Sequence, residues 1–231
     1  MPDAPLYLIP GTMCDARLWA PVAVHLPEAE IRHCDYAGSE TMEAMLDALL
    51  DQAPAGPCHL VGFSLGGYLA MLIAIKHPTR FKSLVVIATS PYGLSDGEKA
   101  LRQRNAEMLT RLTYRGMSKT RLKQFVHTDN LEDKTITGTI LQMERDMGQQ
   151  ELIRQLLAPI NRPDMTEELR ALAIPVHFIM AEDDAMVPFE AVEKFTTRSA
   201  NITLHKVTGS GHMMPFEVPA ELAKIIANIC E

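Results

Sequence analysis

Ser64 stands between two glycines, each two residues away, in Leu60-Val61-Gly62-Phe63-Ser64-Leu65-Gly66-Gly67. A serine hydroxyl is a weak nucleophile. It becomes reactive when a base lies within hydrogen-bond reach and a third group orients that base. The Gly-x-Ser-x-Gly spacing suits this use: a serine at the tip of a sharp strand-to-helix turn needs neighbours without Cβ, so that strand and helix can close around it. A helix beginning behind Ser64 also turns free N–H groups and a positive dipole end toward an oxyanion forming there.

Of the eight histidines, His212 has the setting of a base. It lies in Thr208-Gly209-Ser210-Gly211-His212-Met213-Met214-Pro215, a loop of small residues directly after the last strand expected. His177 and His205 fall inside expected strands, and His25, His33, His59, His77 and His127 have no special context. An orienting acid is expected after the strand ending at Met180, where Glu182, Asp183 and Asp184 compete. Asp184 is the choice and Asp183 the rival; a solvated acidic turn before a helix starting at Pro188 is the plain alternative. Two amide donors should face the oxyanion, Leu65 N–H behind the nucleophile and Thr12 N–H after the first strand, with Met13 next in line. An ordinary turn at Pro10-Gly11 is the competing reading there.

These residues need a scaffold that brings them to one edge. Leu6 to Ile9, Glu30 to Cys34, Cys58 to Phe63, Leu84 to Ala88, Val176 to Met180 and Ile202 to Val207 read as strands, the last alternating like an edge. Helical spacing covers Asp15 to Leu26, Thr41 to Gln52, Leu65 to His77, Pro188 to Ser199 and Met213 to Cys230. Alternating strands and helices imply right-handed crossovers and a parallel sheet, whose ligands bind beyond the carboxyl ends of the strands. Between Pro91 and Pro163 the strands stop. Asp96 to Leu112, Ser118 to Val126, Leu131 to Met147 and Gln149 to Leu157 read as helices. The strand pattern then resumes, so this segment is expected to be an insertion over the sheet and not an independent domain.

The bulk properties set the remaining bounds. The chain of 231 residues suits one α/β domain with an insertion, and its net charge of -7 speaks against nucleic acid as main partner. The start, Met1-Pro2-Asp3-Ala4-Pro5, reads as neither signal peptide nor membrane span, and no membrane insertion is expected. Cys14, Cys34, Cys58 and Cys230 lack Cys-x-x-Cys spacing and read as reduced thiols of a cytoplasmic protein. No zinc-ligand spacing or dinucleotide fingerprint is present, so no metal and no organic cofactor is expected.

The chain resembles the α/β-hydrolase superfamily over nearly its whole length. The resemblance rests on four pieces: Leu8 to Trp19, Gly62 to Gly67, Ala181 to Pro188 and Gly211 to Pro215. Pro10 stands where the family usually has histidine, and Ala181 where the acid loop usually starts with glycine; neither change removes a catalytic group. The resemblance aligns the family's acid with Asp184. It implies a mostly parallel sheet of about six strands with helices on both faces, a core of residues 1–90 and 164–231, and a helical lid over residues 91–163. With the oxyanion-loop strand starting at Leu6, the resemblance implies a trimmed core without the family's usual first two strands.

The expected function is serine hydrolysis of a small to medium carboxylic ester through an acyl-enzyme, with catalytic residues Ser64, Asp184 and His212. The same triad could instead serve carbon–carbon bond, amide or thioester hydrolysis or a lyase step, and a non-catalytic binder is the third reading. Met13, Met108, Leu112, Phe125 and Met143 are the candidates for an apolar substrate pocket, with Tyr114 beside them. Arg162 and Asp164 could pair where the insertion rejoins the sheet, or be solvated. The partner expected is a small-molecule acyl substrate, and the chain a monomer or homodimer.

Overall fold

The computed structural model describes residues 2–197 and 199–231. The described elements run β1 (Leu6–Ile9), a 3-10 turn (Ala16–Trp19), α1 (Ala20–Ala23), β2 (Ile31–His33), α2 (Met42–Gln52), β3 (Cys58–Phe63), α3 (Leu65–Lys76) and β4 (Phe81–Ile87). They continue with α4 (Asp96–Arg111), α5 (Lys119–Phe125), α6 (Lys134–Leu157), α7 (Thr166–Ala171), β5 (Val176–Ala181), α8 (Phe189–Thr196), β6 (Ile202–Val207), α9 (Met214–Glu217) and α10 (Pro219–Ile229).

The six strands form one sheet in the order β2-β1-β3-β4-β5-β6, and every pairing is parallel. Burial follows position. All residues of β1 and β3 are buried, as a strand covered on both faces requires. The two edges, β2 and β6, carry exposed residues.

Alternate strand residues feed two cores. Tyr7, Ile9, Leu60, Val86, Phe178 and Met180 meet α2, α3, α7 and α8 on one face. Leu8, Val61, Phe63, Val85, Ile87 and Ile179 meet Trp19, Val22 and α10 on the other, together with Leu122, Ile140 and Met143 of the 91–163 segment. The faces are dictated by handedness. From β1 the chain steps outward to β2, then returns past β1 to β3 and onward; right-handed crossovers therefore place α1 on one face and α2, α3, α7 and α8 on the other. The reversal makes the gap between β1 and β3 a switch point, and Ile9 pairs there with Gly62. The loop after β1 and the turn after β3 thus open side by side.

Three helical expectations are amended. Met213 to Cys230 is two helices, α9 and α10, broken at Val218 (φ -136, ψ 52). Pro219 disfavours helical backbone in the residue before it. The expected Leu131 to Met147 helix starts only at Lys134, capped by Asp133. It runs on to Leu157 through Gly148, whose φ of 78 puts a kink where a break is expected. The helix expected over Pro188 to Ser199 ends at Thr196, and Arg198 lies outside the described residues. Among the described residues no helix is long and apolar enough to cross a membrane.

Candidate active site

Ser64 terminates β3 and precedes the first residue of α3 with φ 52 and ψ -118. That backbone costs a non-glycine residue on the order of 1–3 kcal/mol and persists only where the surroundings over-determine it. Here the Ser64 amide donates to the Ile87 carbonyl at 2.9 Å, and the glycines allow the close approach. A Cβ on Gly66 would fall against the carbonyl oxygens of Ile9 and Pro10, and one on Gly62 against the backbone of Gly66. Both glycines are required because β1, β3 and α3 meet there at backbone contact.

His212 Nε2 lies 3.0 Å from Ser64 Oγ, and His212 Nδ1 lies 2.8 Å from Asp184 Oδ2. An ionised carboxylate only accepts hydrogen bonds, so Nδ1 carries the proton and Nε2 turns its lone pair to the serine. Asp184 Oδ1 accepts from the Met186 and Val187 amides at 2.7 and 3.1 Å, which fixes the carboxylate. Asp184 and His212 are 6% and 3% exposed. The Asp183 side chain is 54% exposed and stands 3.9 Å from His127 Nε2. Of the competing acids, Asp184 is therefore the one brought to His212. The imidazole is boxed by Phe63 and Phe125, with ring centroids 5.2 and 5.6 Å away.

Thr12 and Leu65 line the same cavity as Ser64. Neither backbone amide has an acceptor among the described residues. The Met13 amide is taken, donating to Gln155 Oε1 at 2.7 Å.

The cavity measures about 230 Å³. Met13 and Phe125 line it; Met108, Leu112, Met143 and Tyr114 are not among its walls. Met108, on the outer side of α4, and Leu112, just past its end, are 53% and 59% exposed, because the inner face of that helix follows Arg102, Ala106 and Leu109. Met143 is fully buried and packs into the sheet-face core. Tyr114 spends its hydroxyl on Glu144. Arg162 and Asp164 do not pair: the Arg162 guanidinium lies 4.7 Å over the Tyr68 ring, and Asp164 Oδ1 accepts from the Thr166 amide.

Two supporting residues escape a reading of the sequence. Gln155, 1% exposed, anchors the loop after β1 through Met13 and donates to Glu151 Oε1 at 2.7 Å. Glu217 anchors the His212 loop: Oε1 accepts from the Gly211 amide at 3.1 Å, and Oε2 from the His127 amide and Asn130 Nδ2 at 2.7 and 3.0 Å. Both tie the 91–163 segment to catalytic loops. Their only sequence signal is a polar residue on an otherwise apolar helical face. Cys14, also at the cavity, is pushed up to about 12, first by burial and then by the Asp15 carboxylate, and stays a thiol.

A family model described as the Alpha/beta hydrolase family matches residues 6–225. A pimeloyl-[acyl-carrier protein] methyl ester esterase of Aeromonas hydrophila is 27% identical over 74% of this chain and 69% of its own length. A biotin biosynthesis bifunctional protein, BioHC, of Cellvibrio japonicus is 24% identical over 98% of this chain, and this chain spans only 47% of that protein. A solved thermophilic esterase from Thermogutta terrifontis superposes with a TM-score of 0.88 at 24% identity, covering 98% of this chain and 89% of that one; this likeness speaks for the fold.

Proposed function

The chain belongs to the Alpha/beta hydrolase family, and from that premise we propose a serine hydrolase that cleaves a small to medium carboxylic ester through an acyl-enzyme. The reading is carried by the unbroken contact chain Asp184, His212, Ser64 at 2.8 and 3.0 Å, standing beside two unspent amides. It gains support from the matched methyl ester esterase.

In this mechanism Ser64 Oγ attacks the ester carbonyl while His212 Nε2 takes its proton. The Leu65 and Thr12 amides hold the oxyanion, each donor worth about 3 kcal/mol. Asp184 keeps the imidazole in its tautomer and steadies the imidazolium. His212 then protonates the leaving alkoxide, and the alcohol departs. A water deprotonated by His212 attacks the acyl-serine, and the carboxylic acid leaves with Ser64 restored. Residues 91–163 act as a helical lid over a core of 1–90 and 164–231, and Phe125 and Met13 contact the acyl group. Four unpaired, buried cysteines suit a cytoplasmic setting.

The test is a panel of p-nitrophenyl esters with Ser64→Ala, combined with a fluorophosphonate probe. The expected result is ester turnover and labelling that both vanish in the variant. Turnover that survives the substitution removes the nucleophile; a folded wild type that neither labels nor turns over esters makes the chain a binder.

A further inference from the structure

We propose that Arg102, Arg121 and Arg162 form a carboxylate-binding subsite in the cavity that holds Ser64, so that the acyl substrate carries a free carboxylate away from its scissile carbonyl. The acyl part rests on the hydrolase reading; the anion subsite stands on its own observations.

The three arginines come from α4, α5 and the loop after α6, and all line the one cavity. None has an ion-pair or hydrogen-bond partner for its guanidinium among the described residues. That sets them apart from Arg17, Arg32, Arg154 and Arg170, each within 2.7 Å of a carboxylate. Arg162 Nε is buried and has no acceptor. A buried donor without an acceptor is expensive and rare, and it points to an acceptor supplied from outside.

Two of the three are seated on aromatic rings. Arg162 lies over the Tyr68 ring and Arg121 over the Phe125 ring at 5.3 Å. A guanidinium seated on an aromatic ring, with no protein acceptor for its N–H groups, can offer its planar fork to a carboxylate. The cavity's two acids have hydrogen-bond donors of their own, and Glu98 also offsets part of the Arg102 and Arg162 charge. Glu98 Oε2 accepts from Ser95 N and Oγ at 2.9 and 2.7 Å, and Glu144 accepts from the Tyr114 hydroxyl and the Met117 amide. The lining still carries one more cation than anion, inside a protein whose net charge is -7.

The electrostatics agree. Arg102 is pushed down to about 10, first by burial and then by the Arg162 charge. Arg162 is lowered by burial. The Arg121 charge adds to the lowering of Arg102 and Glu98 opposes it, so an anion seated beside Arg102 offsets the repulsion it meets there. Apolar lining residues such as Leu152, Leu156 and Ile140 suit a short methylene chain joining the carboxylate to the ester. A half-ester of a dicarboxylic acid is the simplest such substrate. Hydrolysis is then balanced as before: water adds across the acyl–oxygen bond, and a dicarboxylate and an alcohol leave.

The test compares methyl hydrogen adipate with methyl hexanoate, which share chain length and differ in the distal carboxylate. The expected kcat/KM ratio favours the half-ester by roughly 10- to 100-fold. It should fall toward one in Arg102→Gln, Arg121→Gln and Arg162→Gln through KM, with partial return in the lysine variants, and it should shrink as KCl is raised. Calorimetric binding of the two esters to Ser64→Ala reads the subsite without catalysis, so loss of the hydrolase reading leaves it testable. Equal kcat/KM and equal binding for the pair overturn the proposal, as does a preference that survives all three glutamine variants. Should a variant fail to fold, the wild-type pair decides.

Discussion

Replacing Asp184 with asparagine leaves the shape of the site and inverts its proton logic. In the structure Asp184 Oδ1 accepts two backbone amides and Oδ2 accepts from His212 Nδ1. An asparagine can keep the two amide bonds only by placing its carbonyl oxygen there, which turns its NH₂ toward Nδ1. Nδ1 must then be the acceptor, the ring proton moves to Nε2, and Nε2–H faces Ser64 Oγ with no lone pair to take a proton. The oxyanion donors and the nucleophile stay in place, so the loss is that of the base alone. In the Ser-His-Asp template this tautomer error costs about 10⁴ in kcat, or about 5.5 kcal/mol in barrier. Steady-state hydrolysis of p-nitrophenyl butyrate by Asp184→Asn, with Asp183→Asn alongside, measures it. Asp183 is mostly exposed and its variant should stay within a few-fold of wild type. An Asp184→Asn enzyme within tenfold of wild type, or a larger loss in Asp183→Asn, would refute the reasoning.

Gly66→Ala drives a Cβ into the carbonyls of Ile9 and Pro10, which cannot swing aside as a side chain would. It should destabilise by about 3 kcal/mol or more, and an unchanged urea midpoint speaks against the close β1–α3 packing. Gln155→Leu removes the acceptor from the Met13 amide and leaves a buried donor unpaired, at about 1–3 kcal/mol. Because Thr12 is the preceding residue, kcat should fall more than KM rises; a pure stability loss would limit Gln155 to packing. His177 and His205 stand 3.1 Å apart. His177 is pushed down to about 4 from the ordinary 6.5, first by burial and then by His205. Folded, it stays neutral where the unfolded chain binds a proton, so this stability is whole above pH 6.5 and drains as pH falls toward 4. After allowance for partial exposure the loss is about 1–2 kcal/mol. Urea titrations at pH 7 and pH 5 read it, and His177→Gln should flatten the difference.

What could be read along the chain was local. The central strands are continuous apolar runs because a parallel sheet covers both their faces, and Gly62 and Gly66 announce the turn because a Cβ at either would strike backbone. The contact of Asp184 with His212 lies where chain order and element ends lead. The cavity wall was not legible in the same way. Met108 and Leu112 are apolar yet exposed, since three or four residues decide direction along α4 and its cavity side carries Glu98 and Arg102. A charged residue on a helix reads as solvated until its neighbours are known. Gln155 and Glu217 act on partners 142 and 90 residues away, a separation that carries no local signature.

The most direct measurement of the central claim is mass spectrometry of the enzyme quenched in acid during turnover of p-nitrophenyl acetate. The account predicts an acetyl group on the peptide carrying Ser64, building up in a burst and absent from Ser64→Ala. Turnover without any acyl adduct at Ser64, or an adduct on another residue that persists in Ser64→Ala, would contradict it.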